Sequence, residues 1–224
     1  MNRAGYCHVA MEEAGSEEVP VVLDMGCGPD KIAGAVGVDH VPFPGVDVIW
    51  DLEKWPYPFE DGSVDHVYFR HSLEHLADAA GAVREAARIL REGGRLTIIC
   101  PHFSSLNAYS DLTHRRALGM QAFRLLCRSP RETAGSIYRQ SLIQGDRGGG
   151  VVAFEWVEGR FVFPRLHGAV PFVPARWVGV SLVARWFPIF YECFLAFWCP
   201  AQEFSVTLRV VKAGGGATVA RSTA

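Results

Sequence analysis

Short apolar runs separated by polar or glycine-containing turns dominate the first hundred residues. Val21–Met25, Ala35–Val38, Val46–Trp50, Val64–Phe69 and Arg95–Cys100 each have the length and composition of a strand. A different period appears between the fourth and fifth runs. Val83, Ala86, Ala87 and Leu90 recur every three to four positions, while Arg84, Arg88 and Arg91 fall mostly on the opposite side. This spacing predicts a helix with Asp78 as its N-cap and Gly93-Gly94 as its end. A strand, helix and strand at this separation favour a right-handed parallel crossover. The fold class is therefore α/β, a doubly wound and mostly parallel sheet.

The second half is less regular. A helix is expected near 116–127, a glycine-rich loop at 145–150 and a hairpin over Val151–Phe163 turning at Glu158-Gly159. Phe204–Val211 reads as the last strand. We divide the chain into a polar leader (1–19), one domain (20–212) with insertions near 103–150 and 165–200, and a disordered tail (213–224).

With 224 residues, 49% hydrophobic and 21% charged, the chain has enough apolar surface for one sizeable core. A net charge of -2 gives no bulk attraction to nucleic acid, so no nucleic-acid partner is expected. Six scattered cysteines without a C-x-x-C pair argue against a disulfide scaffold or structural zinc, and point to the cytoplasm. The acidic leader lacks the apolar core of a signal peptide. Arg176, Arg185, Glu192 and several prolines interrupt the apolar stretch at 167–200, so no run reaches the ~20 residues of a bilayer span. Its aromatic residues (Trp177, Trp186, Phe187, Phe190, Tyr191, Phe194, Phe197, Trp198) suit a core or dimer contact, a lid over an apolar substrate, or a patch resting on a membrane surface.

The candidate chemistry begins where the first strand ends, at Leu23-Asp24-Met25-Gly26-Cys27-Gly28-Pro29. Gly26 and Gly28 let backbone approach a ligand closely. Asp24 can orient that loop or take a ligand's amino group. Open α/β sheets bind ligands at the carboxyl ends of their strands, where Asp39 with His40 and Asp51 with Leu52 also lie. A carboxylate at Asp39 can accept both hydroxyls of a ribose, while Asp51 and Leu52 suit the amino group and face of an adenine.

The stretch from Val21 to Pro101 resembles the class I S-adenosylmethionine-dependent methyltransferases. It does so through LDMGCGP, GVDH, DVIWDLEKWPYPFEDGSVDHVYFRHSLEHL and EAARILREGGRLTIICPH, in that order. The ending PIFYECFLAFWCPAQEFSVTLRVVK is similar to the last helix and strand of one branch. The resemblance implies a seven-stranded Rossmann-like sheet and S-adenosyl-L-methionine as cofactor. It also implies a cofactor site over Asp24, Gly26, Cys27, Gly28, Asp39, His40, Asp51, Leu52 and His71. The chain departs from the pattern at Asp30, where a third glycine is common, and in its very short link between the first two strands.

Beyond the fifth strand come Pro101-His102-Phe103-Ser104-Ser105 and then Asp111-Leu112-Thr113-His114-Arg115. A related branch has a similar H-x-S-S followed by D-x-T-H. His102 or His114 is the expected base and Asp111 its support, since an imidazole titrates near neutrality. Tyr109, Arg115 and Tyr191 are the expected substrate contacts. No metal is expected, although two histidines and an aspartate here could hold one. The expected reaction is in-line displacement at the sulfonium methyl, onto a small-molecule or lipid/glycan-linked acceptor. The expected assembly is a monomer or homodimer, with contact to a membrane surface possible.

Three alternatives use the same residues. A dinucleotide enzyme needs G-x-G-x-x-G, but Lys31 follows Gly26 and Gly28 at that spacing. His71-Ser72-Leu73-Glu74-His75 fits the H-x-x-E-H zinc-peptidase pattern, which requires a continuous helix. A catalytically inactive S-adenosylmethionine-binding partner protein would keep the glycine loop and Asp39 alone.

Overall fold

Each apolar run in the first half becomes a strand of one sheet. The computed structural model describes residues 19–127, 152–163 and 174–212. The strands are β1 (Val22–Met25), β2 (Val36–Asp39), β3 (Val48–Ile49), β4 (Val64–Arg70), β5 (Leu90–Pro101), β6 (Val152–Val162) and β7 (Glu203–Lys212). They form a seven-stranded sheet in the order β3-β2-β1-β4-β5-β7-β6. β1 to β5 pair in parallel, and β7 runs antiparallel between β5 and β6. The order reverses at β1, whose neighbours are β2 and β4, so β1 and β4 open a crevice at their carboxyl ends.

Helix α1 (Ala79–Ile89) crosses from β4 to β5 and buries Ala82, Val83, Ala86, Ala87 and Ile89. The Asp78 side chain caps it by accepting from the Gly81 amide at 2.7 Å. Arg88 departs from the expected outward face. Its guanidinium turns inward to donate to Glu85 and to the carbonyls of Phe59 and Tyr57. The helix also ends earlier than Gly93-Gly94, because Leu90 is already extended and pairs with Val64. The register shifts between Val64 and His66, and Gly93 takes a φ of 75° there. The two glycines thus accommodate a bulge at the start of β5, not a helix end.

Two further expectations change. Val152–Val162 is one continuous strand, paired with β7 along its length. Gly159 makes no turn: a Cβ there would lie 2.4 Å from Trp156 Cζ2, so the glycine admits the indole. The helix expected over 116–127 shrinks to α3 (Met120–Arg124), preceded by α2 (Asn107–Ser110). α4 (Pro174–Trp186) leads into α5 (Pro188–Phe190), which continues as a π-turn over Tyr191–Leu195.

The main core joins β1, β4, β5 and β7 to α1 through residues such as Leu23, Phe69, Ile98 and Leu208. A smaller cluster gathers Ala184, Tyr191, Ala196 and Ala201. Of the dense aromatic segment, Trp186, Phe187, Phe190, Phe194, Phe197 and Trp198 are exposed. No helix among the described residues is long and apolar enough to cross a membrane. The leader, the loop at 145–150 and the tail from 213 lie outside the described residues.

Candidate functional site

A cavity of about 830 Å³ opens where β1 to β4 end. Gly26, Asp39, His40, Asp51, Leu52, His71 and Arg115 line it, so seven of the residues singled out from sequence share one wall system. Glu53, Ser72, His75, Leu76, Leu112 and Thr113 complete it.

The floor is the turn after β1. Gly26 has a φ of 72°, and a Cβ there would stand 2.5 Å from Ser72 Cβ, so only glycine fits. Ser72 in turn donates to the Met25 carbonyl at 2.7 Å and ties the β4 end to the β1 end. No helix follows this turn before β2, as the short link implies. Side chains hold it instead. Asp24 accepts from the Ile32 amide at 2.9 Å and from Arg70 Nη2 at 2.7 Å. Asp39 accepts from the Gly28 amide and from the Val41 amide, both at 2.9 Å. Asp24 is fully buried, so it positions the loop and is not offered to the cavity. Cys27 is also buried; that burial, followed by Asp24 and Asp39, pushes its thiol pKa up. Gly28 contributes its amide to Asp39 and does not line the cavity.

On the next wall, Asp51 accepts from the Glu53 amide at 3.0 Å, and Glu53 accepts from the Ala77 amide at 2.6 Å. The buried Leu52 presents an apolar surface beside them. His71 sits in the left-handed region with a φ of 50° and donates its amide to the Ile99 carbonyl at 2.9 Å. Its imidazole lies 3.6 Å from Glu74 Oε1 and 3.2 Å from Glu203 Oε2. Glu74, then Glu203, raises its pKa against the opposing effect of burial.

His71-Ser72-Leu73-Glu74-His75 spans a strand end and one 3₁₀ turn (Leu73–His75), so the continuous helix of a zinc peptidase is missing there. Glu74 is buried; burial opposes its ionisation, but the nearby His71 imidazole and the Cys100 thiol, which donates to Oε2 at 3.3 Å, outweigh that and lower its pKa. His114 lies against it, with Nε2 4.0 Å from Glu74 Oε1 and 3.9 Å from Asp111 Oδ2. Asp111 is exposed and accepts from both the Thr113 amide and hydroxyl, which hold its pKa low.

His102 takes a different place from the one expected. It is fully buried, with Nδ1 2.7 Å from Ser104 Oγ and Nε2 3.2 Å from Glu192 Oε1. Glu192 also accepts from the Met120 and Gln121 amides, which satisfies donors at the start of α3. Rings of Phe103, Phe161, Tyr191 and Phe204 surround the imidazole. In this position it braces β5, α3 and the π-turn and has no face toward the cavity. Tyr191 is likewise buried, donates its hydroxyl to the Cys199 carbonyl at 2.8 Å and does not line the cavity. Tyr109 is exposed and lies outside the cavity lining.

A family profile described as "Methyltransferase domain" matches residues 44–98. The fold over most of the chain agrees with a methyltransferase from Haloferax volcanii solved with the Trm112 methyltransferase activator. The TM-score is 0.51 at 17% identity, covering 89% of this chain and 85% of that one. Residues 44–98 thus resemble a methyltransferase domain, and the fold is that of the class I S-adenosylmethionine-dependent methyltransferases. Among curated relatives, a 37.1 kDa protein of a Streptomyces fradiae transposon is 32% identical over 137 residues, 50% of this chain and 39% of that protein. The 27-O-demethylrifamycin SV methyltransferase of Amycolatopsis mediterranei is 46% identical over 48 residues, 21% of this chain and 17% of that enzyme. The chain thus spans well under half the length of these relatives. S-adenosylmethionine is the cofactor of this methyltransferase family, and the cavity residues suit it. An ionised carboxylate offers about four lone-pair sites. Asp39 uses two of them for amides, and His40 Nδ1 lies 3.3 Å from its Oδ1.

Proposed function

We propose that this methyltransferase domain transfers the cofactor's methyl group to an oxygen of a small-molecule or lipid/glycan-linked acceptor. The supporting observation is the convergence of Gly26, Asp39, Asp51, Leu52 and His71 on one cavity at the strand ends. Asp39 grips the ribose hydroxyls, Asp51 and Leu52 flank the adenine, and the turn at 26–28 lies under the methionine end. Bound S-adenosylmethionine supplies a methyl group already activated on a sulfonium. The protein's main task is alignment of donor and acceptor, together with exclusion of water.

The acceptor's proton leaves on the wall where His75 and Thr113 line the cavity, with the His114 ring packed edge-on against that of His75. His114 Nδ1 lies 3.2 Å from the Ala108 carbonyl, which can only accept, so Nδ1 carries the proton and Nε2 is free as a base. Oxygen as the acceptor atom is favoured by the likeness, over 48 residues, to a 27-O-demethylrifamycin SV methyltransferase. Arg115 stands at the cavity edge, suited to an anionic group of the acceptor.

Isothermal titration with S-adenosylmethionine and with its demethylated product tests the first half of this reading. Micromolar binding of both is expected, and absence of both would overturn it. Mass spectrometry of hydroxylated acceptors incubated with enzyme and cofactor tests the second half. Methylation at nitrogen or carbon alone would overturn the oxygen assignment.

A further inference from the structure

Glu74, His75 and His114 offer three ligand atoms that all lie within 4.8 Å of one another. They come from the turn after β4 and from the loop after α2, and His75 and Thr113 line the cavity. The hydrogen bonds around them fix which atoms are free. The Thr113 hydroxyl donates to Asp111 Oδ1 at 2.6 Å. Its one proton is then used, so the contact of 2.9 Å to His75 Nδ1 is a hydrogen bond donated by the histidine. His75 Nε2 therefore carries its lone pair. The Ala108 carbonyl sets the same tautomer on His114 and leaves its Nε2 bare as well.

The third atom supplies an independent sign. Glu74 is 1% exposed, and its Oε1 is buried without a hydrogen-bond partner. The nearest imidazole atoms, His71 Nδ1 at 3.6 Å and His114 Nε2 at 4.0 Å, are beyond hydrogen-bond length. A buried carboxylate oxygen left open is costly unless something else meets it. Two imidazoles whose Nδ1–H groups are anchored, one to a hydroxyl backed by a carboxylate and one to a backbone carbonyl, are oriented as metal-ligating histidines are.

We propose that Glu74, His75 and His114 bind a divalent transition-metal ion, zinc or a similar borderline ion, at the wall of the cofactor cavity. Two nitrogens and one carboxylate leave at least one position open, as in catalytic zinc sites. This inference rests on the methyl-transfer reading for what fills that position: the acceptor's oxygen. The hydroxyl coordinates the ion and releases its proton to solvent. The resulting oxygen attacks the methyl carbon as the carbon–sulfur bond breaks, and the electron pair stays on sulfur. His114 Nε2 then serves as a ligand, and the ion takes over its role in activating the acceptor. Asp111 lies outside the ligand set and supports it through Thr113.

The test uses the full chain, stripped with chelator and titrated with Co²⁺ and Zn²⁺ alone. Stoichiometric binding is expected, with a tetrahedral or five-coordinate Co²⁺ absorption band displaced by Zn²⁺. His75→Ala and His114→Ala should each abolish the band. Thr113→Val, which keeps all three ligands, should weaken binding by about 10–100-fold, the usual effect of losing an outer-shell partner. Thermal unfolding of each apo variant shows whether it folds; Thr113→Val serves if an alanine variant does not. Absence of metal binding by the wild type, or an unchanged band in His114→Ala, would overturn the site. Titration of the same apo protein with S-adenosylmethionine separates the two readings. Retained cofactor affinity without metal binding removes only this inference, and lost cofactor affinity removes the proposed function.

Discussion

Arg70, at the end of β4, donates from Nη2 to Asp24 Oδ2 at the end of β1 across 2.7 Å, and the Asp24 side chain is fully buried. The two residues close the switch point of the sheet from its two neighbouring strands. Asp24 also holds the Ile32 amide, so one carboxylate links the sheet to the loop under the cavity.

Removing Arg70 would leave the Asp24 charge buried and uncompensated. Arg70→Met should therefore destabilise the protein by roughly 3 kcal/mol, the lower end of the cost of breaking a buried pair. Denaturant unfolding measures this. A midpoint equal to wild type would show that solvent already screens the pair.

Asp39→Ala removes the acceptor for the Gly28 amide together with the proposed ribose contact. Affinity for S-adenosylmethionine should fall at least about tenfold, equivalent to ~1.4 kcal/mol. Calorimetric titration reads the change, and unaltered affinity would place the ribose elsewhere.

For His102→Ala the expectation is a loss of stability of roughly 2–4 kcal/mol, from a buried cavity and two lost hydrogen bonds. Cofactor affinity should stay near wild type, because the imidazole has no face toward the cavity. If thermal unfolding is unchanged while turnover collapses, the imidazole reaches the substrate after all.

His66 ties β4 to β5, with Nε2 2.8 Å from Thr97 Oγ1. Burial, then the nearby Arg95, pushes its pKa down from 6.5 to about 4. The folded state thus prefers the neutral ring. Its stabilising effect is complete above the unfolded pKa and is lost as pH falls from about 6.5 toward 4. The full shift corresponds to about 3 kcal/mol, which we reduce to roughly 1–2 kcal/mol because the ring is partly solvated. Melting temperatures from pH 7 to 4 should show an acid loss that His66→Gln diminishes. Parallel curves for the two proteins would assign that loss to other groups.

The strands of the first half were legible because each apolar run is bounded by a residue with its own backbone or charge signature. Gly26, Asp39, Asp51 and His71 mark four strand ends, and those ends meet at one cavity. Glycine misled elsewhere because it answers several demands. At Gly93 it serves a bulge, and at Gly159 it makes room for the Trp156 ring; neither role shows in the local pattern. His102 and His114 look alike in sequence, each following a strand or turn with serine or threonine nearby. Only packing separates them, since the partner that buries His102 is Glu192, ninety residues away. His75 had a signal in the H-x-x-E-H pattern, but the histidine it meets comes from a loop nearly forty positions later.

The turn beneath the cavity is braced by two carboxylates, with no helix between β1 and β2. A helical support resists displacement cooperatively, through a ladder of backbone bonds. Here restraint is delivered through separate contacts: Asp24 on the Ile32 amide, Asp39 on the Gly28 amide, Arg70 on the Asp30 carbonyl, and the Val38 carbonyl on the Gly26 and Cys27 amides. The floor of the pocket holds no helix, so a ligand that displaces it trades individual bonds and unwinds no secondary structure.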